Sequence, residues 1–161
     1  MTKKYEFTGE TKMHFGIELK RIRALVAFGS VAVGELGGWI ASEAILSHDG
    51  NAWVSGNARV SGDARVYGDA RVYGDAWVYG DARVSRPITS ATRSDGYTFT
   101  LTREKDKTLR ISAGCRFFTF EEARGHWKHR AGTPLGVETD SILDHFERMA
   151  AAGALGNEAA E

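Results

Sequence analysis

The sequence predicts a mainly β fold: a short parallel β-helix, wound from hexapeptides, with an N-terminal β cap and a C-terminal β-hairpin followed by two α-helices. Three observations predict it. Residues 50–85 read as six tandem hexapeptides, from Gly50-Asn51-Ala52-Trp53-Val54-Ser55 to Gly80-Asp81-Ala82-Arg83-Val84-Ser85, and a fixed short period marks a repeat architecture. Strand alternation puts Ala and Val of each repeat on one face, and Arg or Trp with Tyr or Ser on the other. Each repeat begins with Gly-Asp or Gly-Asn, which is corner chemistry: Gly tolerates positive φ, and the Asx side chain bonds its own backbone. Six residues are too few for two strands and two turns, so a stack of hairpins does not fit. Three strands and three corners make one coil of about eighteen residues, with coils stacked about 4.8 Å apart.

The chain divides on this basis into a cap (1–33), the β-helix (34–86) and an α+β module (87–161). In the cap, Tyr5–Thr11 and Ile17–Leu25 read as two strands around a turn at His14–Gly16. Tyr5 and Phe7 share a face of the first strand, and Ile22 and Ala24 a face of the second. The repeat phase reaches upstream of residue 50, since Ile40 follows Gly38 and Leu46 follows Ala44 at the same spacing. From Leu46 to Val54 the step is eight, so two residues are inserted near His48 and Asp49 as an extruded corner. A little under three coils result. Burying one valine is worth about 1.5–3 kcal/mol, so a core this thin needs capping elements at its ends or cover from another subunit.

These residues resemble the hexapeptide-repeat, left-handed parallel β-helix family, in which an aliphatic residue follows a small one two positions earlier. Here the aliphatic positions are Val54, Val60, Val66, Val72, Val78 and Val84, and the small ones Ala52, Ala58, Ala64, Ala70, Ala76 and Ala82. The left hand is what the resemblance implies; general crossover chirality alone favours the right. The runs K-R-I-R-A-L, G-E-L-G-G-W-I-A-S-E and L-S-H-D-G-N-A-W-V-S-G, between Lys20 and Ser85, look like a group of small hexapeptide-repeat proteins of phages and prophages without assigned activity. That implies a viral or prophage origin and a host-cytoplasmic location.

After Ser85, Pro87 is read as the terminator of the repeats. Tyr97–Arg103 and Thr108–Ser112 alternate as a hairpin around Glu104–Lys107, with Tyr97, Phe99 and Leu101 on one face. Thr119-Phe120-Glu121-Glu122 is a capping box, predicting a helix to about Arg130 that Gly132 and Pro134 end. A second helix is predicted from about Thr139 to Ala152, with Gly153 as its cap and Ile142, Leu143, Phe146 and Met149 on one stripe. Leu155–Glu161 reads as a frayed tail. The stretch from Asp95 to Trp127 is similar to a recurring tail of phage-encoded proteins.

Residues eighteen apart become neighbours from Gly50 onward. Trp53 is expected over Arg71 and Arg59 over Trp77, as guanidinium–indole stacks. Arg65 falls over Arg83, Ser55 over Tyr73, Ser61 over Tyr79 and Tyr67 over Ser85. Trp53, Arg59, Arg65, Tyr67, Arg71, Tyr73, Trp77, Tyr79 and Arg83 are thus the candidate partner-binding residues, of types enriched at protein interfaces. The same faces also read as a solvated surface of self-neutralising Asp/Arg pairs.

Net charge is zero and there is one cysteine, Cys115; the first excludes a global electrostatic case for nucleic acid or membrane, the second an internal disulfide. No segment has the length of a membrane span, and the N-terminus lacks the apolar run of a signal peptide. The reading is a non-enzymatic interaction protein without cofactor or metal, whose partner is a host or phage protein such as a host defence component, and which self-associates as a dimer or trimer. Two alternatives are weighed against it. Acyltransferases of the resembled family work as trimers on acyl-CoA or acyl-carrier protein with a histidine base, and His48 alone lies near the repeats; a solvated or capping histidine is the better reading. Arg103, Lys105, Lys107, Arg110, Arg116, Arg124, Lys128 and Arg130 with Phe117, Phe118 and Trp127 are a nucleic-acid candidate, but acidic residues interrupt the run, which equally suits the acidic C-terminal helix. His126 and His129 share a helix face, and two ligands are not a metal site.

Overall fold

The computed structural model describes residues 2–85, 89–104, 106–114 and 116–152. The readings placed on Pro87, Lys105, Gly153 and the tail after it lie outside them.

Alternation and a tight turn build the N-terminal hairpin. Strand β1 (Tyr5–His14) pairs antiparallel with β2 (Ile17–Ala24). The connecting Phe15 and Gly16 take φ of 47° and 77°, as a two-residue turn that follows the strand twist requires. Tyr5 lies opposite Ala24 and Phe7 opposite Ile22, so the four share one face, which packs onto the solenoid core.

Strand β3 (Leu36–Ile40) extends this sheet antiparallel to β2 and runs parallel to the first repeat strand it meets. The repeat strands are β4 (Trp53–Val54), β5 (Arg59–Val60), β6 (Arg65–Val66), β7 (Arg71–Val72), β8 (Trp77–Val78) and β9 (Arg83–Val84). Trp53 lies opposite Arg71, Arg59 opposite Trp77 and Arg65 opposite Arg83, all in parallel register. Three ladders result: β3-β5-β8, β4-β7 and β6-β9. Backbone bonds join successive coils, among them Trp53 N to Ala70 O, Arg59 N to Ala76 O and Arg65 N to Ala82 O. In the first coil the partners stand two residues further apart, Trp39 opposite Arg59 and Leu46 opposite Val66, so the insertion does fall in the corner after Leu46.

The Ala and Val of every repeat are buried along the coil axis. One position departs from the pattern: Ala44 is exposed and Ile45 takes the buried place. The corners explain their glycines. Gly62 has φ of 69°, and a Cβ there would sit 2.9 Å from Gly80 O on the next coil.

The C-terminal module is a four-stranded antiparallel sheet, β10 (Thr89–Thr92), β11 (Thr98–Arg103), β12 (Leu109–Ala113) and β13 (Arg116–Phe118), with two helices on one face. The sequence predicts only its central hairpin; β10 is short and polar, and β13 too short to alternate. Helix α1 (Phe120–Trp127) starts at the expected capping box: Thr119 Oγ1 accepts from Glu122 N, and Glu122 Oε2 accepts from Thr119 N. Helix α2 (Pro134–Ala151) starts earlier than predicted. Pro134, read as a terminator, opens this helix instead, because the first turn needs no N–H from it. Thr133 is the N-cap and accepts from Gly136 N at 3.1 Å. Ile142, Leu143 and Phe146 are buried against Phe99, Leu101 and Ile111.

The other face of this sheet closes the solenoid. Thr100, Thr102 and Ser112 are buried rather than solvated. Ser112 Oγ donates to Trp77 O at 2.6 Å, Asp81 N donates to Glu104 Oε2 at 3.2 Å, and Glu104 bridges Ala82. The last coil has no further coil to pair with, and buried backbone groups need partners. At the other end Lys4 Nζ donates to Ala52 O at 2.8 Å, and Tyr5 OH lies 2.9 Å from both Glu43 O and Leu46 O. The chain therefore caps both ends of the coil itself, as a core this thin requires.

The Lys4–Tyr5 cap makes stability depend on pH in the alkaline range. Burial, helped by Arg71 and opposed by Asp49, pulls the Lys4 ammonium from its ordinary 10.5 down to about 8. Between those values the unfolded chain binds the proton that the fold releases, so stability rises with pH. Burial, and then the Glu43 carboxylate, pushes the Tyr5 phenol up; above about pH 10 the unfolded tyrosine ionises, the folded one does not, and stability falls. Urea unfolding is expected to show a stability maximum near pH 10, with a smaller rise from pH 8 in Lys4→Met. A stability that falls steadily from pH 8 would contradict this cap.

Candidate functional site

The three sides of the coil are not equivalent. On the β4–β7 side, Trp53 is 2% exposed and packs edge-on against Tyr5 and Phe28 at 6.5 and 5.4 Å. Arg71 beside it lies under Gly29, where a Cβ would come 2.7 Å from its Nη2. On the β3–β5–β8 side, Trp77 is 8% exposed, with Phe15 stacked on it at 5.0 Å and Tyr79 against it at 4.5 Å. Tyr79 in turn meets Phe117 of the C-terminal module at 4.6 Å. Arg59 is half-buried; its Nη2 donates to Asp75 O at 3.0 Å, and its Nη1 reaches His14 Nδ1 at 3.5 Å.

The register of the predicted Arg–Trp neighbours thus holds, but the indoles serve the protein's own lid. Guanidinium and ammonium groups do sit over rings, on Trp39 from Lys12 and Arg21. Of the nine candidate residues, Trp53 and Trp77 are buried by the chain, and Tyr79 is packed against it. The covering hairpin is remote in sequence and bears no periodic relation to the repeats, so the six-residue period carries no signal for it.

The β6–β9 side is different. Arg65 Nη1 donates to Asp63 O and Ala64 O, and Arg83 Nη1 to Asp63 O, Asp81 O and Ala82 O, at 2.9–3.4 Å. Both guanidinium groups are held by corner carbonyls of the solenoid itself, with edges left to the solvent side. Tyr67 follows on the same side half-buried, and Tyr73 is 45% exposed at the next corner. Arg65, Arg83, Tyr67 and Tyr73 are the predicted residues that the fold presents outward. The like charges of Arg65 and Arg83 are held on a rigid ladder, with Asp63 and Asp81 flanking them.

His48 is bound into the N-terminal cap. Lys4 N donates to its Nδ1 at 3.0 Å, Glu43 Oε1 lies 3.0 Å from its Nε2, and the Tyr5 ring stacks on it at 4.3 Å. A proton on Nε2 fits both bonds. Glu43, bonded by Lys3 and His48, has its carboxyl held below the usual range. In the C-terminal module the basic run is partly consumed. Arg124 pairs with Asp144 at 2.8 Å and Glu147 at 2.9 Å on α2, and Arg110 lies 3.7 Å from Glu122. The acidic helix answers the basic run within one chain. His126 packs on Phe118, and His129 Nδ1 lies 3.0 Å from His126 O; among the described residues no group of three or more His, Cys, Asp or Glu is arranged to hold a metal. None of the described helices is long and apolar enough to cross a membrane.

The ladders and the buried Ala/Val axis define the class: this is a β-solenoid repeat protein. Residues 52–66 and 64–80 match the family model of the YdcK beta solenoid repeat, so the repeats are similar to that family over this part of the chain. No curated protein matches the chain.

Proposed function

We propose that the protein is a non-catalytic interaction scaffold, encoded by a phage or prophage and acting in the host cytoplasm, which docks a host or phage protein on the β6–β9 side of the coil. The left hand of the coil and the viral origin belong to this proposal through the resemblance of residues 20–85 to phage hexapeptide-repeat proteins. A host defence component is the partner class that origin suggests. The observation that carries the reading is that Arg65 and Arg83 stand in register on the β6–β9 side, with Tyr67 at the following corner, whereas the N-terminal hairpin packs on Trp53 and Trp77 of the other two sides. Groups preorganised on a rigid ladder lose little entropy on binding. The engagement of both ring nitrogens of His48 in the N-terminal cap supports a non-catalytic role, since a general base needs a nitrogen free for substrate. No thiol release from acetyl-CoA is expected.

The same side is the proposed self-association surface, as a dimer or trimer. Light scattering on the wild type is expected to give a multiple of the 17.6 kDa chain. Arg65→Glu with Arg83→Glu is expected to abolish partner capture from infected cells while circular dichroism still reports a folded chain, and Lys128→Glu retains capture. Equal capture by the double variant contradicts the docking side.

A further inference from the structure

A cleft of about 370 Å³ opens where the three parts of the chain meet, lined by His14 and Phe15 of the hairpin tip, Arg59, Asp75 and Trp77 of the coil, and Tyr97 and Ser112 of the C-terminal sheet. It lies on a different side of the coil from β6–β9, and its role is independent of any docking there.

Three features of this cleft need an explanation that folding alone does not supply. First, Phe15 holds φ of 47° and is 64% exposed. A bulky non-glycine residue with positive φ is an outlier, and such strain clusters at functional sites. Asn or Gly would make this turn more easily. What phenylalanine adds is a ring parallel to Trp77, at 5.0 Å and 7°. Second, three nitrogens of the lining residues are shut off from water and have no hydrogen-bond partner among the described residues: His14 Nε2, Arg59 Nε and Trp77 Nε1. Arg59 Nη1 donates toward His14 Nδ1, which leaves the neutral ring's proton on Nε2, so all three are donors without acceptors. Leaving a buried donor without an acceptor is costly to the fold. Third, positive charge is crowded here. Burial, with Arg59 and Lys12, pulls the His14 imidazole down, and burial pulls Arg59 down. Asp75 is the one carboxylate among the described lining residues, facing Arg59 and Lys12; Arg21, further out, is paired with Glu10 at 3.1 Å.

We propose that this cleft binds a small anion carried on a flat ring, with a phosphate or carboxylate accepting from the Arg59, His14 and Trp77 donors and the ring stacking on Phe15. The volume suits a ligand of mononucleotide size. The Phe15 ring is the exposed wall, and it lifts from Trp77 to let the anion reach the shielded donors. Binding therefore changes the fluorescence of Trp77.

The test is titration of the full chain with adenosine monophosphate, indole-3-carboxylate, adenosine and inorganic phosphate at low salt, read by tryptophan fluorescence and calorimetry. Saturable binding below millimolar is expected for one or both ring-bearing anions, which also tells a phosphate source from a carboxylate one. Adenosine and inorganic phosphate are expected to bind at least tenfold more weakly than the ring-bearing anion that binds. Phe15→Asn keeps the turn and removes the ring; at unchanged thermal stability it is expected to weaken binding tenfold or more. Arg59→Gln is expected to abolish the preference for the anion over adenosine. No saturation by either ring-bearing anion at several millimolar, or equal affinity in wild type and Phe15→Asn, overturns the proposal.

Discussion

Val66→Asp is expected to leave no folded protein at 25 °C. Val66 is fully buried, with Val84 opposite it on one coil and Leu46 on the other. An ionised carboxylate placed there has no partner along an axis lined by Ala and Val, and burying it costs several kcal/mol. Domains of this size are stable by only about 5–15 kcal/mol, and the valine contacts are lost as well. The adjacent residue makes the control. Arg65 points outward, and Arg65→Ser forgoes bonds to the carbonyls of Asp63 and Ala64; its cost is expected to stay within about 1 kcal/mol. Circular dichroism and urea unfolding read both. Comparable losses at 65 and 66 would mean that the alternation between axis and surface is wrong.

Trp53→Ala is expected to destabilise the protein by about 3–5 kcal/mol, the range for removing a buried indole. The ring lies beneath Tyr5 and Phe28, and its Cζ2 is so near Gly37 that a Cβ there would come within 2.7 Å. Its loss opens a cavity between lid and coil, and the N-terminal hairpin is expected to become the first segment to exchange its amides. A tryptophan presented to a partner gives a different outcome: unchanged stability and weakened binding. That result would restore Trp53 to the docking surface and remove the lid from it.

The contrast between these two positions shows what the sequence makes legible. Position 66 is readable because its neighbours repeat: Ala64, Val66 and the glycine corners recur every six residues, and periodicity fixes both face and partner. The pairs Trp53–Arg71, Arg59–Trp77 and Arg65–Arg83, and the two-residue insertion beside His48, come from counting alone. Position 53 has the same outward phase as position 65, yet it is buried. The difference comes from Tyr5 and Phe28, brought back across the coil by a hairpin whose sequence carries no mark of where it lands. The C-terminal sheet shows the same limit. Thr100, Thr102 and Ser112 alternate with apolar residues as a solvated face does, but their hydroxyl-rich face lies on the last coil, with Ser112 bonded to Trp77 O. Pro134 is ambiguous for a local reason, since the residue that forbids a helix interior is favoured in its first turn. Of the site, the outward Arg65, Arg83 and Tyr67 are legible from phase. The cleft at Phe15 is not, because it joins three segments distant in the chain.

The central claim is that residues eighteen apart lie side by side on one flat side of a three-sided coil. Its most direct test is disulfide formation in a Cys115→Ser background, comparing Arg65→Cys with Arg83→Cys against Arg65→Cys with Arg71→Cys. Parallel neighbours at strand spacing lie within disulfide reach, so the 65–83 pair is expected to oxidise fully within one chain at unchanged circular dichroism. Positions 65 and 71 belong to different ladders and are expected to stay reduced. A bridge between 65 and 71, with none between 65 and 83, would contradict the coil.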